Sequence, residues 1–464
     1  MKKTLLILSL VTSMFGFKAF AQDTYTLNVF DEAVYYGMYE GMVSQPIPDG
    51  AVRNSNSSYG KKLTDEQIAA IGNRLTINVL AEALCDDYDR IGNVNLAFVP
   101  KGATSYVYAD VTRIEVGRFI TPFMNNLTRP VTQVPYTFDA DNITKILHDT
   151  SISADFDFWL ELEIYGYQGG IGAGGAAGDF PSICGQRNDV YKGSLELVSE
   201  NDPTIVQGDD NYFEWLSYKF ELKNYVQATE TNNMGQGTDI INQTVRTINF
   251  TLTEPVANAK FYLITSNHGS NSGGEEYIRR YHYAYLDNIL KLTYRPGENC
   301  EPYRQYNTMP NGIYGNSPMT AAQWASFSNW CPGAKIPTRV IDLGDLAAGD
   351  HSFKITVPQA RFTGGQGYFP MSVYVQGYSE TTAGVKDVKQ TTFNISPNPV
   401  NDIATINVTG AQTVKSVSVI NTLGQEVLHG TTATINTASL QSGVYIVKVQ
   451  FDNNQVATQK IIKK

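Results

Sequence analysis

The sequence predicts an all-β protein built of sandwiches, on three observations. Runs rich in Val, Ile, Tyr, Phe and Thr alternate in polarity and are bounded by Gly, Asn, Asp or Pro, as strands between turns are; TVRTINFTLT (244–253) and HSFKITVPQA (351–360) are examples. Long amphipathic helical patterns are nearly absent, and the best short helix candidate is LTDEQIAAIGNRL (63–75), with Thr64 as cap and Gln67 three residues on. Composition agrees: 39 Gly, 28 Tyr and 21 Phe against 17% charged residues suit an exported β protein with many turns.

The chain of 464 residues has room for about three domains of roughly 150 residues. It opens with MKKTLLILSLVTSMFGFKAFAQ. Lys2 and Lys3 form a basic start, Leu5 to Phe17 an apolar stretch, and Ala19-Phe20-Ala21 a small-residue cleavage site, which predicts a signal peptide over 1–21. The apolar stretch is too short to span a bilayer. Export places the four cysteines in an oxidising compartment, where two disulfides can form. The net charge of −10 argues against a nucleic-acid partner, which needs a basic face.

LCDDYDRIGNV (84–94) crowds Asp86, Asp87 and Asp89 beside Arg90. Such a run is a solvated turn, a calcium loop or the edge of a catalytic site. It lacks the glycine and the distal glutamate of an EF-hand, which disfavours calcium. As the start of a strand it puts Asp87 and Asp89 on one side, Tyr88 and Arg90 on the other. For Arg90 to reach Asp89 or a substrate, the backbone has to turn or bulge over 88–92, with Gly92 as the permissive residue.

DFWLELEIYGY (157–167) reads by a period of two: Phe158, Leu160, Leu162 and Ile164 form an apolar face for the core, and Asp157, Trp159, Glu161, Glu163 and Tyr165 form the other. An outer face of this kind is ordinarily solvated. Two carboxylates between a Trp and a Tyr also suit a sugar cleft, where rings stack on pyranose faces and carboxylates take hydroxyls. GGIGAGG (169–175) opens no helix and reads as a flexible cleft-edge loop, not a phosphate cradle. The five histidines, His148, His268, His282, His351 and His429, include no adjacent or alternating pair, which disfavours copper chemistry.

SETTAGVKDVKQTTF (379–393) is small, polar and aperiodic, and reads as a linker over 379–392. The remainder, 393–464, carries Pro397-Asn398-Pro399, a hairpin turn at Asn421 to Gly424, Gly443-Val444-Tyr445 and a Lys-rich last strand. These marks resemble the C-terminal sorting domain of type IX secretion substrates, a small Ig-like β-sandwich. The resemblance implies the type IX machinery as a partner and a secreted or surface-attached protein.

CDDYDRIGNV followed by EVGRFITPF (115–123), together with NWCPGAKIPTRVIDLG (329–344) and a fainter VFDEAVYYG (29–37), resembles the peptide-N-glycosidase F family over roughly residues 24–380. The resemblance implies two adjacent jelly-roll sandwiches, here divided as 22–185 and 186–378, with a cleft where they meet. It implies hydrolysis of the amide between asparagine and N-acetylglucosamine in N-glycosylated proteins or peptides by a monomer, with no cofactor and no metal. Carried over by motif, Asp89, Glu163 and Glu276 are the essential acids. Arg90, Tyr88, Trp159, Tyr165 and Glu161 are substrate-binding, and Glu161 replaces Glu163 if the register slips by one pair. Arg90 would keep Asp89 ionised, while an aromatic wall would keep Glu163 protonated. A Cys300–Cys331 disulfide is also implied; Cys85 and Cys184 are left to pair or to stay free.

Departures from the family pattern are specific. Phe327 stands where the family has an arginine that fixes the strand glutamate, with Arg279 or Arg280 as substitutes. Tyr88 and Tyr165 replace tryptophans, Gly274 and Ile278 replace a cysteine pair, and the cysteine before Cys85 is missing. A non-catalytic glycan- or protein-binding relative is therefore the alternative to an enzyme.

Overall fold

The computed structural model describes residues 24–124, 133–168, 184–185, 187–205, 211–223, 233–270, 274–308, 319–363, 367–379, 392–409, 412–421, 425–452 and 456–464. The signal peptide, the glycine-rich loop at 169–175 and nearly all of the linker fall outside them. The chain forms two compact units, Met1–Thr381 and Thr382–Lys464.

The first unit holds two antiparallel jelly-roll sandwiches. In the first, a sheet ordered Tyr25–Tyr36, Asp189–Glu200, Arg74–Ala83, Gln133–Asp139 packs on a six-stranded sheet. That sheet runs Lys335–Ile336, Thr112–Ile120, Ile91–Pro100, Phe156–Ile164, Ser58–Lys62, Ala51–Ser55. In the second sandwich, Asn211–Leu222, Phe369–Ser379, Val256–Thr265 and Arg339–Leu346 face a five-stranded sheet that contains Val245–Leu252 and Gly349–Thr356, the two strands quoted above as examples. Alternating apolar residues of each sheet meet in the two cores.

The sequence division at 185/186 assigns Asp189–Glu200 to the second sandwich. The structure corrects this: the strand lies between Tyr25–Tyr36 and Arg74–Ala83, and its Val190, Tyr191, Leu195 and Leu197 complete the first core. Lys335–Ile336, far along the chain, adds an edge strand to the first sandwich through Lys335 opposite Phe119 and Ile336 opposite Arg118. One covalent segment thus ties the two sandwiches together.

Local chemistry explains the short helix. Thr64 accepts from the Gln67 N–H and the Gln67 side chain answers to the Thr64 N–H, a capping box, but the helix spans only Asp65–Ala70. Gly72 lies against the Glu200 carbonyl too closely for any side chain, and Ile71 and Leu75 are drawn into the core, so the chain leaves the helix for a strand at Arg74.

The face of Phe156–Ile164 read as core is core. Its other face is not solvated: Asp157, Trp159, Glu161 and Glu163 are all buried. The segment carrying Tyr106, Tyr108 and Arg113 covers part of it, and Asn211–Leu222 of the second sandwich covers the rest.

Both disulfides form, Cys85–Cys184 with Cα atoms 5.5 Å apart and Cys300–Cys331 at 5.2 Å. The sorting unit is a small sandwich of three- and four-stranded sheets. Asn398 of its Pro-Asn-Pro mark accepts from Ile462 N–H and donates to Lys460 O, pinning the last strand.

The sequence separation of 99 across Cys85–Cys184 predicts a loss of about 5 kcal/mol when both are replaced by serine. Denaturant unfolding of the whole protein checks it; an unchanged midpoint would contradict the loop-closure account.

Candidate active site

The loop at 84–90 is irregular, and a regular strand begins at Ile91. Gly92, expected to permit a bulge, lies within that strand, and the Phe119 ring packs where its side chain would be. The irregularity comes earlier and has another cause. Asp86 is fully buried and accepts from Tyr88 N–H (3.1 Å), Tyr167 N–H (2.7 Å) and Arg90 Nε (2.6 Å) and Nη2 (3.0 Å). Thr121, from the EVGRFITPF motif, holds the other side: its Oγ1 accepts from Arg90 N–H and donates to Tyr88 O.

This corrects the expected pairing of Asp89 with Arg90. The guanidinium is committed to Asp86 and lies over the Tyr167 ring at 3.9 Å and the Tyr88 ring at 4.7 Å. Asp89 is left at the wall of a cleft of about 770 Å³, its Oδ2 closed off from solvent without a hydrogen-bond partner among the described residues. Tyr88, Asp89, Arg90, Tyr165 and Glu276 all line this cleft, with Tyr39, Tyr167, Trp330 and Tyr368 adding rings.

Glu276 comes from the second sandwich. Its Oε2 accepts from Gly269 N–H at 2.9 Å, and its carbonyl accepts from Ser328 Oγ (2.5 Å) and Asn329 Nδ2 (2.7 Å). Asn329 and Trp330 of the NWCPG motif also bond Asn267 O, so that motif places the acid. Burial pushes the Asp89 carboxyl well above its ordinary range, and Glu276 pushes it further; burial likewise raises Glu276. Two carboxyls of which one raises the other lose their protons in linked steps. His268, also in the wall, is driven to about 3 by burial and Arg118, so it stays neutral.

Glu163 is not brought into the cleft wall. It lies just behind, accepting from Tyr108 Oη at 2.6 Å and from Lys219 Nζ of the second sandwich, and it is Lys219 that reaches the cleft. Both Glu163 oxygens accept, one from the Tyr108 hydroxyl and the other from the Lys219 ammonium. Glu161 and Trp159 are away from the cleft. Glu161 pairs with Arg113 (3.0 Å) and accepts from Tyr106 (2.6 Å), and Trp159 packs edge-on against Tyr106. Phe327 is buried among Phe123, Trp324, Trp330 and the Cys300–Cys331 bridge. Neither proposed substitute for the missing arginine reaches Glu163: Arg279 donates to Ser328 O, and Arg280 pairs with Glu275.

Sequence reasoning missed the pair that joins the sandwiches. Arg118 holds Glu115 through two bonds of 2.7 Å, both residues buried, and Arg118 Nη1 crosses to Ser266 Oγ (2.8 Å) and Pro370 O (2.9 Å). Ser372 Oγ and Asn93 Nδ2 donate to Glu115 in turn. Burial raises the Glu115 carboxyl, but Arg118 outweighs it and leaves the net shift downward.

Residues 237–376 match the family described as peptide-N-glycosidase F, C terminal, and residues 394–464 match the secretion system C-terminal sorting domain. The chain thus carries a segment similar to the C-terminal part of peptide-N-glycosidase F, followed by a secretion-system sorting domain. Two crystal forms of PNGF-II match at 20% identity over 77% of this chain, with TM-scores of 0.52 and 0.53. This shows the shared fold. The chain spans just under two thirds of those proteins, 65% and 66%. PNGase F, a glycosylasparaginase from Flavobacterium meningosepticum, matches at 16% identity over 77% of this chain and 96% of that one, with a TM-score of 0.45. No curated protein matches. The sorting domain marks the chain as secreted or cell-surface, exported across the envelope.

Two predictions follow from the site's charges. Arg118→Met leaves Glu115 buried and unpaired, and it should cost about 3–5 kcal/mol in denaturant unfolding; a cost under about 1 kcal/mol would contradict the pairing. Because the Asp89 pKa is raised on folding, its contribution to stability is complete below the ordinary carboxylate range and is lost as pH rises through the raised value. Asp89→Asn should therefore gain melting temperature relative to wild type at pH 8 compared with pH 4, and an equal difference at both would contradict the assignment.

Proposed function

We propose that this protein hydrolyses the amide between asparagine and N-acetylglucosamine in N-glycoproteins or glycopeptides. The observation that carries the reading is the Asp89–Glu276 pair: two carboxyls, one from each sandwich, with raised pKa values in an aromatic cleft. Amide hydrolysis needs a base to activate water and an acid to protonate the leaving nitrogen. A pair that shares one proton holds both. The ionised member takes a proton from water as oxygen bonds to the side-chain carbonyl carbon. The protonated member gives its proton to the nitrogen as the carbon–nitrogen bond breaks. Aspartate and a glycosylamine are the products.

The rings of Tyr39, Tyr88, Tyr165, Tyr167 and Tyr368 supply faces for sugar stacking. The lining cations Arg90, Arg118, Lys219 and Lys223 are each ion-paired with a carboxylate, which suits an uncharged glycan core better than an anion. The binding-only alternative drew on the missing arginine at Phe327; Lys219 supplies a cation beside Glu163 from another strand.

The whole protein is incubated with a denatured N-glycoprotein and the peptides are weighed. Conversion of the glycosylated Asn to Asp, lost by more than about a hundredfold in Asp89→Asn and in Glu276→Gln, is the expected result. An active Asp89→Asn removes the site claim, and intact wild-type glycopeptide removes the enzyme reading.

A further inference from the structure

Lys219 occupies a position that its own strand does not favour. The pairing of Asn211–Leu222 with Phe369–Ser379 shifts register between Trp215 and Ser217 and again between Ser217 and Phe220. Within that second break Lys219 has φ of 47°, a left-handed conformation costly for a residue with a side chain. The break suspends the alternation of the strand, so that two consecutive side chains point at the first sandwich. Tyr218 meets Tyr108, oxygen to oxygen, at 2.9 Å, and Lys219 meets Glu163. Ser372 holds the distortion: its Oγ accepts from Lys219 N–H at 3.0 Å while donating to Glu115 at 2.5 Å. The bulge is thus tied to the buried Arg118–Glu115 pair.

The ammonium ends 5.6 Å from the Tyr165 ring centre and 5.1 Å from that of Tyr218, with the open cleft beyond. An ammonium has three N–H donors, and Glu163 neutralises its charge. What remains is a positioned donor that carries little net charge and faces a space lined by rings.

We propose that Lys219 is a sugar-binding residue of the cleft, held by Glu163, and that it donates to an uncharged oxygen of the glycan core, an acetamido carbonyl or a hydroxyl. Glu163 then acts through Lys219 as a positioning residue and does not itself meet the substrate. This assignment rests on the glycoamidase reading for its ligand.

The test uses the whole protein and N,N′-diacetylchitobiose, the disaccharide at the root of an N-glycan, with binding followed by calorimetry and cleavage followed separately. Lys219→Met should weaken disaccharide binding by about tenfold or more, the usual worth of one hydrogen bond from a charged donor, and raise KM far more than it lowers kcat. Lys219→Arg should recover most of the affinity. Glu163→Gln should weaken binding less than Lys219→Met does. Wild-type affinity in Lys219→Met overturns the proposal, and so does a drop in melting temperature without loss of affinity, which marks a purely structural ion pair. A wild type that does not bind the disaccharide also overturns it. A wild type that binds the disaccharide but leaves glycopeptides intact, with Lys219→Met still weakened, sinks the glycoamidase reading and keeps Lys219 as a sugar ligand.

Discussion

The structure depends on burying charge where its two sandwiches meet. Arg118 and Glu115 lie at the joint with almost no exposure, and an ion pair there is tolerable only if every oxygen and nitrogen finds a partner. The partners come from both sides: Asn93 from the first sandwich, Ser266, Ser372 and the Pro370 carbonyl from the second. Separating the sandwiches would strip the pair of half its hydrogen bonds, so its satisfaction fixes how they dock. The Lys335–Ile336 edge strand adds a backbone constraint to the same end.

The cleft's chemistry is what that docking leaves over. Arg90 is taken by Asp86, Arg118 by Glu115, Lys219 by Glu163 and Arg113 by Glu161. Asp89 and Glu276 come from opposite sandwiches into the same cleft wall, where burial favours their neutral forms and the charge of Glu276 adds to the cost of ionising Asp89. Neither acid creates this state alone. The site therefore exists only in the docked molecule, although each sandwich supplies an ordinary-looking loop carboxylate. Acidic pairs of this type serve chemistry in which a proton is taken and returned within one step.

How much of this was legible in the sequence can be judged residue by residue. The β class and the apolar face of Phe158, Leu160, Leu162 and Ile164 follow from a period of two, which any strand must obey. The Thr64–Gln67 capping box was readable because it is local, but where its helix stops was not, since that depends on the distant Glu200 carbonyl behind Gly72. The outer face of the same strand read as solvated because its cover, Tyr106, Tyr108 and Lys219, lies about fifty residues away in either direction. Adjacency misled for Asp89 and Arg90: neighbours on an extended chain point apart, and Arg90 turned back to Asp86. Lys219 left only a faint mark, the broken alternation of Ser217-Tyr218-Lys219-Phe220, and Arg118 sat within a quoted motif whose physical role appears only when the second sandwich is in place.

The central claim is that Asp89 and Glu276 form one titrating pair in the cleft. Carboxyl-selective NMR titration of the whole protein, with each residue assigned by its amide variant, measures this directly. The account predicts that both signals move in two shared steps, with midpoints above the ordinary carboxylate range of about 4, and that removing either acid lowers the midpoint of the other. Independent midpoints near 4 for both residues, each indifferent to loss of its neighbour, would contradict it.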